Sequence, residues 1–397
     1  MNCFSENEKN MWIDVKISKK VNISHNEINK KYEKGEQRII TETNREKLPN
    51  FIEALKRPGY MELKPFYQRR ARWDTKRQSK LIESFIVNIP VPPVFLYEKA
   101  YNKYEVMDGQ QRITALQSFY NNEFKLTGLD LWPELNGMKY TDLPTKITDG
   151  LDRRSISSIV LLKESAPDEL DAILLRRLVF ERLNTGGIKL ERQEIRNSLS
   201  HGPLNNLLHE LSKNHVFREI WGLPQHQEDE ENHHNLPIHD IPFFQKMEDL
   251  EVILRFFALR HVDNYKLGIQ GFLDLYMIKS EKFKPEDIEH LRKLFTETIN
   301  IAYEIYEDKA FRVFENGKWE SKPSKSIFDA VMVGLSKHLA SRDILIIHKE
   351  NIIRSTKNIF NTYGIEAFTG RKSTKLDVEN RLDAFSKLFE KIAASHV

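Results

Sequence analysis

Residues 104–116 carry the side chains best suited to chemistry in this sequence. Their first half has the pattern of a strand, and their second half has apolar residues at helical spacing. Gly109 stands at the join, where a residue without a Cβ permits a tight turn and a close approach of a ligand to the backbone. The unpaired N–H groups and the positive dipole end of a helix that begins there suit a phosphate.

Polar side chains crowd this turn. Arg112 offers a planar fork to phosphate oxygens, and Asp108 can hold a metal ion or orient a water molecule. Gln110 and Gln111 can donate or accept hydrogen bonds. The alternative is structural: Asp108 caps the helix and Arg112 pairs with a surface acid, since Asp-Gly is a common turn dipeptide. The turn alone does not decide between the two.

The composition bounds the class of protein. The 397 residues suffice for two domains, with 30% charged and 40% hydrophobic residues. We find no apolar run near the roughly 18 residues of a membrane helix and no signal-peptide pattern at the N-terminus, so we expect a cytoplasmic protein without a membrane segment. The single cysteine, Cys3, excludes an internal disulfide framework. The net charge of +3 is too small to indicate nucleic acid by itself, so any DNA contact needs a local patch.

Such a patch lies between residues 64 and 80, a segment that contains seven basic residues and one acidic residue, Asp74. Aromatic side chains are interleaved with the arginines, a combination that suits nucleic acid through charge and stacking. The alternative is a solvated basic helix face with its tryptophan in a core. The candidate nucleic-acid-binding residues are Arg70, Arg72, Trp73, Lys76 and Arg77.

Several motifs from Pro65 to Asn197 occur in an order that resembles one known family, the ParB/sulfiredoxin-like N-terminal domain of the GmrSD-type, modification-dependent restriction enzymes. The motifs are Gln68-Arg69, Trp73-Asp74, Leu81-Ile82-Glu83-Ser84, Ile89-Pro90-Val91-Pro92-Pro93, Asp108-Gly109-Gln110-Gln111-Arg112, Asn184-Thr185-Gly186-Gly187 and Glu194-Ile195-Arg196-Asn197.

The resemblance implies a compact α/β domain whose Asp-Gly-Gln-Gln-Arg turn supports nucleotide binding and hydrolysis, in members that couple nucleotide use to cleavage of modified phage DNA. By motif position, the catalytic residues would be Asp108, Gln111 and Arg112, and the nucleotide-binding residues Gln68, Arg69, Gly109, Gln110, Arg112, Thr114, Asn184, Gly186 and Gly187. The glycines after Asn184 form a second loop that a ligand can approach closely, or they simply end a helix.

The chain also departs from the family. DNA-cutting members often carry a His-Asn-His nuclease motif near the C-terminus, and we find none here, so the chain resembles a single-module member. Four histidines, His226, His233, His234 and His239, could in principle ligate a metal. Their surroundings favour a solvated acidic loop instead. If the chain cuts DNA, the ParB-like domain or a separate nuclease subunit must do so.

After residue 200 the apolar spacing becomes helical, with amphipathic segments near 286–306, 325–340 and 375–394. In this region Glu251 and Arg255 lie one helical turn apart, and we expect them to form an ion pair. The predicted class is α+β, with a ParB/sulfiredoxin-like α/β domain followed by an all-helical domain. The predicted divisions are an N-terminal extension at 1–50, the nucleotide-binding domain at 51–200 and the helical domain at 201–397.

The leading hypothesis is a nucleoside triphosphatase that acts on or senses DNA in anti-phage defence. Arg112 and the helix end would hold the phosphates, and Asp108 would help to hold Mg²⁺ or another divalent cation. The rival hypothesis is a non-catalytic DNA-binding or scaffold subunit that nucleotide switches. The sequence leaves open the preferred nucleotide, the DNA modification and assembly into a homo-oligomer.

Overall fold

The computed structural model describes residues 4–12, 25–26, 29, 39–63, 73–165, 172, 175–176, 178–179, 182–183, 192–199, 202–228, 230, 236–368 and 374–394. The chain forms two compact units. The helical unit combines Met1–Ile17, which contains helix α1 (Glu6–Asn10), with Glu191–Val397. The sheet unit is Ser18–Leu190.

The sheet unit is built on a five-stranded sheet in the order β1-β5-β3-β4-β2. The pairs β1–β5 and β3–β4 are antiparallel, whereas β3–β5 and β2–β4 are parallel. The described strands are β1 (Thr41–Lys47), β2 (Met61–Glu62), β3 (Val94–Ala100), β4 (Lys103–Asp108) and β5 (Ser155–Leu161). The described helices are α2 (Leu48–Leu55), α3 (Thr75–Val87), α4 (Gln110–Tyr120) and α5 (Thr145–Asp152), with 3₁₀ turns at Pro133–Leu135, Tyr140–Asp142 and Lys163–Ser165.

Sequence pattern explains these elements. Asp74 accepts a hydrogen bond from the Arg77 N–H and so caps α3, which ends where Asn88 adopts the left-handed conformation. Strand β3 begins only at Val94, because the prolines at 90, 92 and 93 have no N–H to give to a sheet. Helix and strand therefore begin where local hydrogen bonding permits.

Helices cover one face of this sheet. The core between them consists of Leu48, Phe51, Ile82, Phe85, Ile113, Leu116, Phe119 and Leu151 from helices, with Val94, Leu96, Val106, Ile156 and Val160 from strands. On the opposite face, the cross-strand neighbours Tyr97 and Glu105 both contact Arg176, which belongs to a helical segment described at 172, 175–176, 178–179 and 182–183. Arg176 thus covers part of the second face of the sheet.

The helical unit contains the long amphipathic helices expected from the sequence. Its described helices beyond α1 are α6 (Arg192–Leu199), α7 (Pro203–Leu211), α8 (His215–Trp221), α9 (Pro242–Gln245), α10 (Glu248–Leu259), α11 (Gly268–Ser280), α12 (Pro285–Tyr306), α13 (Lys325–Ser336), α14 (Arg342–Ile347), α15 (Lys349–Tyr363) and α16 (Lys375–Ala394). Short 3₁₀ turns lie at Pro237–Asp240, Val262–Asn264, Glu307–Lys309, Leu339–Ser341 and Ile365–Phe368.

A small hairpin, β6 (Phe314–Glu315) paired with β7 (Lys318–Trp319), interrupts the helices, so the region is mostly rather than entirely helical. The mixed α/β class and the helical C-terminal region are confirmed, and the ParB/sulfiredoxin-like topology stays a prediction. Within the described ranges, no helix has the length and apolar character needed to span a membrane.

Buried ion pairs fasten the helical unit. Glu8, fully buried on α1, accepts hydrogen bonds from Arg260 and from the Tyr276 hydroxyl at 2.9 Å, and lies 3.2 Å from His261 Nε2. Burial alone would raise the pKa of the Glu8 carboxyl, but the Arg260 charge and the His261 contact outweigh it and lower this pKa from 4.5 to about 2. Glu8 therefore stays ionised inside the unit.

The expected pairing of Glu251 with Arg255 is wrong. Arg255 forms its ion pair with Asp329, to which its Nε donates at 3.0 Å. Glu251 lies 3.4 Å from Arg196 and 3.6 Å from Lys325 instead. Helix packing brings these more distant partners closer than the neighbour one turn away.

Replacing Glu8 with glutamine should lower the free energy of unfolding by about 3–5 kcal/mol at pH 7, because the Arg260 charge stays buried without its counter-ion. The folded-state pKa is depressed, so ionised Glu8 stabilises the fold above pH 4.5 and loses that effect as pH falls toward about 2. The difference between wild type and Glu8→Gln should therefore shrink over this range in urea unfolding. Glu6→Gln, at an exposed position of the same helix, is the control; equal effects of the two substitutions would contradict the assignment.

Candidate functional site

The turn between β4 and α4 has the geometry expected from its sequence. Asp108 ends the strand, Gly109 adopts a left-handed conformation with φ 97° and ψ 8°, and the helix begins at Gln110. Gly109 occupies the N-cap position, so the alternative in which Asp108 caps the helix is wrong. Among the described residues, no side-chain hydrogen bond caps this helix end.

Two constraints make glycine necessary at position 109. A positive φ is unfavourable for any residue with a side chain. In addition, a Cβ built on Gly109 would lie 2.6 Å from Cγ1 of Val94, a distance that real Cβ atoms do not reach. Val94 is fully buried on the neighbouring strand and cannot move aside cheaply. Packing against Val94 therefore holds the turn in place.

Arg112 folds back onto Asp108. Its Nη2 donates to Asp108 Oδ2 at 2.7 Å and to the carbonyl oxygen of Pro93 at 3.3 Å. The side chain of Arg112 is only 16% exposed, whereas that of Asp108 is 40% exposed. The buried Nε of Arg112 has no hydrogen-bond partner within the described part of the chain. The two residues form one charged pair, with the carboxylate as its accessible member.

The remaining polar residues of the turn have different surroundings. Gln111 Oε1 accepts a hydrogen bond from the backbone N–H of Trp73 at 3.1 Å, so this side chain links the turn to the segment that enters α3. Gln110 is buried and Thr114 is half-buried on α4. The structure thus brings Asp108, Gly109 and Arg112 together and gives Gln111 a bracing contact.

The basic patch is described only in part. Lys76 and Arg77 are exposed on the first turn of α3, and Trp73 is half-buried against the core of the sheet unit. The predicted site residues Gln68, Arg69, Arg70, Arg72, Asn184, Gly186 and Gly187 lie outside the described residues.

A buried ion pair behind the turn escaped the sequence analysis. Glu105, only 4% exposed on β4, accepts a hydrogen bond from Arg176 at 2.9 Å, and the Arg176 guanidinium lies 4.9 Å from the ring centre of Tyr97. The signal available in the sequence was a glutamate directly before the apolar residues Val106 and Met107 in a strand, and such a glutamate requires a cationic partner if the strand is covered on both faces. The partner itself is 71 residues away.

In the histidine-rich stretch, residues 226–228 are exposed as expected for a solvated loop, whereas Glu230 is buried; residues 229 and 231–235 lie outside the described residues. Glu230 is 3% exposed and pairs with Arg218 at 2.7 and 2.8 Å. Burial would raise the pKa of Glu230, but Arg218 holds it below its ordinary value. His226 Nδ1 lies 3.4 Å from the Glu230 carboxylate, and His239 Nε2 lies 2.9 Å from the Glu230 carbonyl oxygen. In the ranges that the structure describes, no group of three metal-ligating side chains is present.

The comparison with known families agrees with these motifs. Residues 48–200 match the family model described as the GmrSD restriction endonuclease, N-terminal domain. The match confirms the resemblance drawn from the motifs over residues 48–200. No curated protein and no solved structure matches the chain.

Two residues of the last motif, Arg196 and Asn197, make hydrogen bonds within the helical unit. Arg196 is buried and donates to Asp274 at 2.6 Å and to the Gln270 carbonyl oxygen at 3.0 Å. The neighbouring Asn197 accepts a hydrogen bond from Asn205 at 2.8 Å. These two motif residues anchor α6 to other helices of its unit rather than offering exposed groups for chemistry.

Replacing Gly109 with alanine should destabilise the protein more than replacing Gly137, which has a similar φ of 89° but open space where a Cβ would lie. Both substitutions incur about 1–2 kcal/mol for the left-handed backbone. Only Gly109→Ala adds the overlap with Val94, about 1–3 kcal/mol more. Urea unfolding of both variants measures the difference, and equal losses would show that Val94 yields without strain.

Proposed function

We propose that the chain binds and hydrolyses a nucleoside triphosphate at the Asp108–Arg112 turn and acts on DNA in restriction-like defence. The observation that carries this proposal is the charged pair at the turn, with exposed Asp108 and mostly buried Arg112 beside a helix start that Gly109 leaves without a side-chain cap. The family match over 48–200 supports the biological setting.

The turn offers two sources of positive potential to a phosphate. The N-terminal end of α4 carries a partial positive charge and first-turn N–H groups. Arg112 is permanently charged and donates from Nη2 to Asp108 at 2.7 Å. An incoming phosphate oxygen would compete with Asp108 for this donor, and the carboxylate would then be released to the exposed side of the turn.

The donor set suits a cation that binds through phosphate. Asp108 is a single carboxylate, and Mg²⁺ commonly uses one or two carboxylates together with phosphate oxygens and water. Mg²⁺ or another divalent cation bound there would offset the negative charge of the phosphates. Asp108 itself would orient the attacking water, and Arg112 would hold the phosphate on which charge develops.

The alternative is a nucleotide-switched DNA-binding subunit that works with a separate nuclease. The contact of Gln111 with the Trp73 N–H favours it, because this bond ties the nucleotide turn directly to the start of the basic helix α3. In that case DNA affinity would depend on bound nucleotide and on salt, without release of phosphate.

Asp108→Ala should reduce phosphate release by about 100-fold or more, since it removes the group that orients the attacking water. The assay uses each of the four ribonucleoside triphosphates with Mg²⁺, with and without DNA. Asp149→Ala, which changes an exposed carboxylate on α5, is the control and should keep the wild-type rate. Turnover that persists in Asp108→Ala would contradict catalysis at this turn, and nucleotide binding without turnover in wild type would favour the switch.

Arg112→Ala should weaken nucleotide binding by about 10- to 100-fold, the usual value of a lost charge-assisted hydrogen bond. Isothermal titration of the purified variant measures the dissociation constant. Arg57→Ala, at an exposed arginine of the same unit, is the control. An unaltered dissociation constant in a folded Arg112→Ala protein would remove Arg112 from the site.

A further inference from the structure

Two large apolar side chains stand exposed side by side on the sheet unit. Leu131 is 60% exposed and Trp132 is 40% exposed, immediately before the 3₁₀ turn Pro133–Leu135. Neighbouring exposed apolar side chains, when rimmed by polar residues, can mark a contact site. The segment that carries them, residues 127–132, is here called the Trp132 loop.

The Trp132 loop is fastened along helix α3. The N–H of Thr127 donates to the buried Ser79 hydroxyl at 3.0 Å. The side-chain stem of Lys76 packs over Gly128, where a Cβ would lie 2.9 Å from the lysine Cγ. Lys80, one helical turn further on, pairs with Asp130 at 2.7 Å.

The strongest attachment is the carboxylate of Glu83, which is only 5% exposed. It accepts hydrogen bonds from three successive backbone N–H groups, those of Asp130 at 3.3 Å, Leu131 at 2.7 Å and Trp132 at 2.9 Å. A buried carboxylate is unfavourable unless hydrogen bonds satisfy it, so this contact binds the loop firmly to α3. Leu131 and Trp132 are thus displayed by an ordered loop.

The charge of the neighbouring helix indicates the kind of partner. Lys76 and Arg77 are exposed on the first turn of α3, and this helix carries three basic residues, Lys76, Arg77 and Lys80, and one acidic residue, Glu83. A positively charged groove with aromatic side chains is the usual arrangement for binding single-stranded nucleic acid, because bases stack on the rings while cations contact the phosphates. A loop whose backbone is already held by hydrogen bonds also loses little entropy on binding.

We propose that the Trp132 loop binds an unpaired base of DNA by stacking on the Trp132 indole, with Leu131 beside it. Lys76 and Arg77 contact the adjacent phosphates. This inference rests on the proposed action on DNA and adds to it a substrate class, DNA with at least one unstacked base. It is independent of nucleotide hydrolysis at the Asp108–Arg112 turn.

The test compares Trp132→Ala with wild type by fluorescence anisotropy on three DNA probes: a single strand, a full duplex, and a duplex with one unpaired base. The variant should bind the single strand and the unpaired-base duplex about tenfold more weakly, with the full duplex unchanged. Trp132→Phe should retain most of the preference, since phenylalanine also stacks. Tyr101→Ala, which changes a side chain 82% exposed at the β3–β4 hairpin, is the matched control.

A second measurement places 2-aminopurine at the unpaired position, where stacking on the indole should quench its fluorescence in wild type and not in Trp132→Ala. Glu83→Gln should weaken the same quenching, because it removes the charge that holds the loop N–H groups. The double variant Lys76→Ala/Arg77→Ala should lower affinity for all three probes and flatten the salt dependence.

The outcomes separate this inference from the proposed function. DNA binding in wild type with no preference for unpaired bases, or with the preference intact in Trp132→Ala, would overturn the stacking site and leave the proposed action on DNA standing. A change in oligomeric mass of Trp132→Ala by light scattering, with DNA affinity unaltered, would make the loop a protein contact and also overturn it. Absence of DNA binding in wild type would overturn both, while phosphate release still reports on the turn.

Discussion

The left-handed backbone of Gly109, packed against Val94, is the constraint on which the candidate site depends. It allows β4 to end and α4 to begin within one residue, so that Asp108 and Arg112, four positions apart, meet at 2.7 Å. The pairing of β3 with β4 also shifts register beside this turn, since Phe95 pairs with Asp108 whereas Leu96 pairs with Val106. Such irregularities commonly redirect side chains at sites of chemistry.

Asp108 differs from four buried carboxylates among the described residues. Glu8, Glu83, Glu105 and Glu230 are almost entirely buried, and each is satisfied by a cationic side chain or by backbone N–H groups. Burial of an ionised group is tolerated only with such partners, and the resulting contacts specify how elements pack. Asp108 differs because 40% of its side chain is exposed, although Arg112 is bound to it. That accessibility separates Asp108 from the four buried carboxylates.

Helix α3 connects the features that bear on function. The start of the helix is tied to the Asp108–Arg112 turn, where Gln111 accepts a hydrogen bond from the Trp73 N–H, and its first turn exposes Lys76 and Arg77. Further along, Glu83 holds the Trp132 loop. A displacement of the turn on binding phosphate would therefore act on the same helix that presents the basic side chains. This shared element gives the proposed coupling of nucleotide and DNA a physical route.

The sequence by itself determined what depends on neighbours along the chain. The strand, glycine and helix around Gly109 were predictable because apolar spacing and backbone freedom are local properties, and the long helices after residue 200 were predictable for the same reason. Only the tertiary structure decided which charges meet. Arg255 pairs with Asp329, 74 residues away, in preference to Glu251 one turn away. Gln111 contacts Trp73, and Glu83 holds a loop nearly fifty residues further on. Such partners are chosen by burial, since packing brings them together and removes the water that would otherwise screen them.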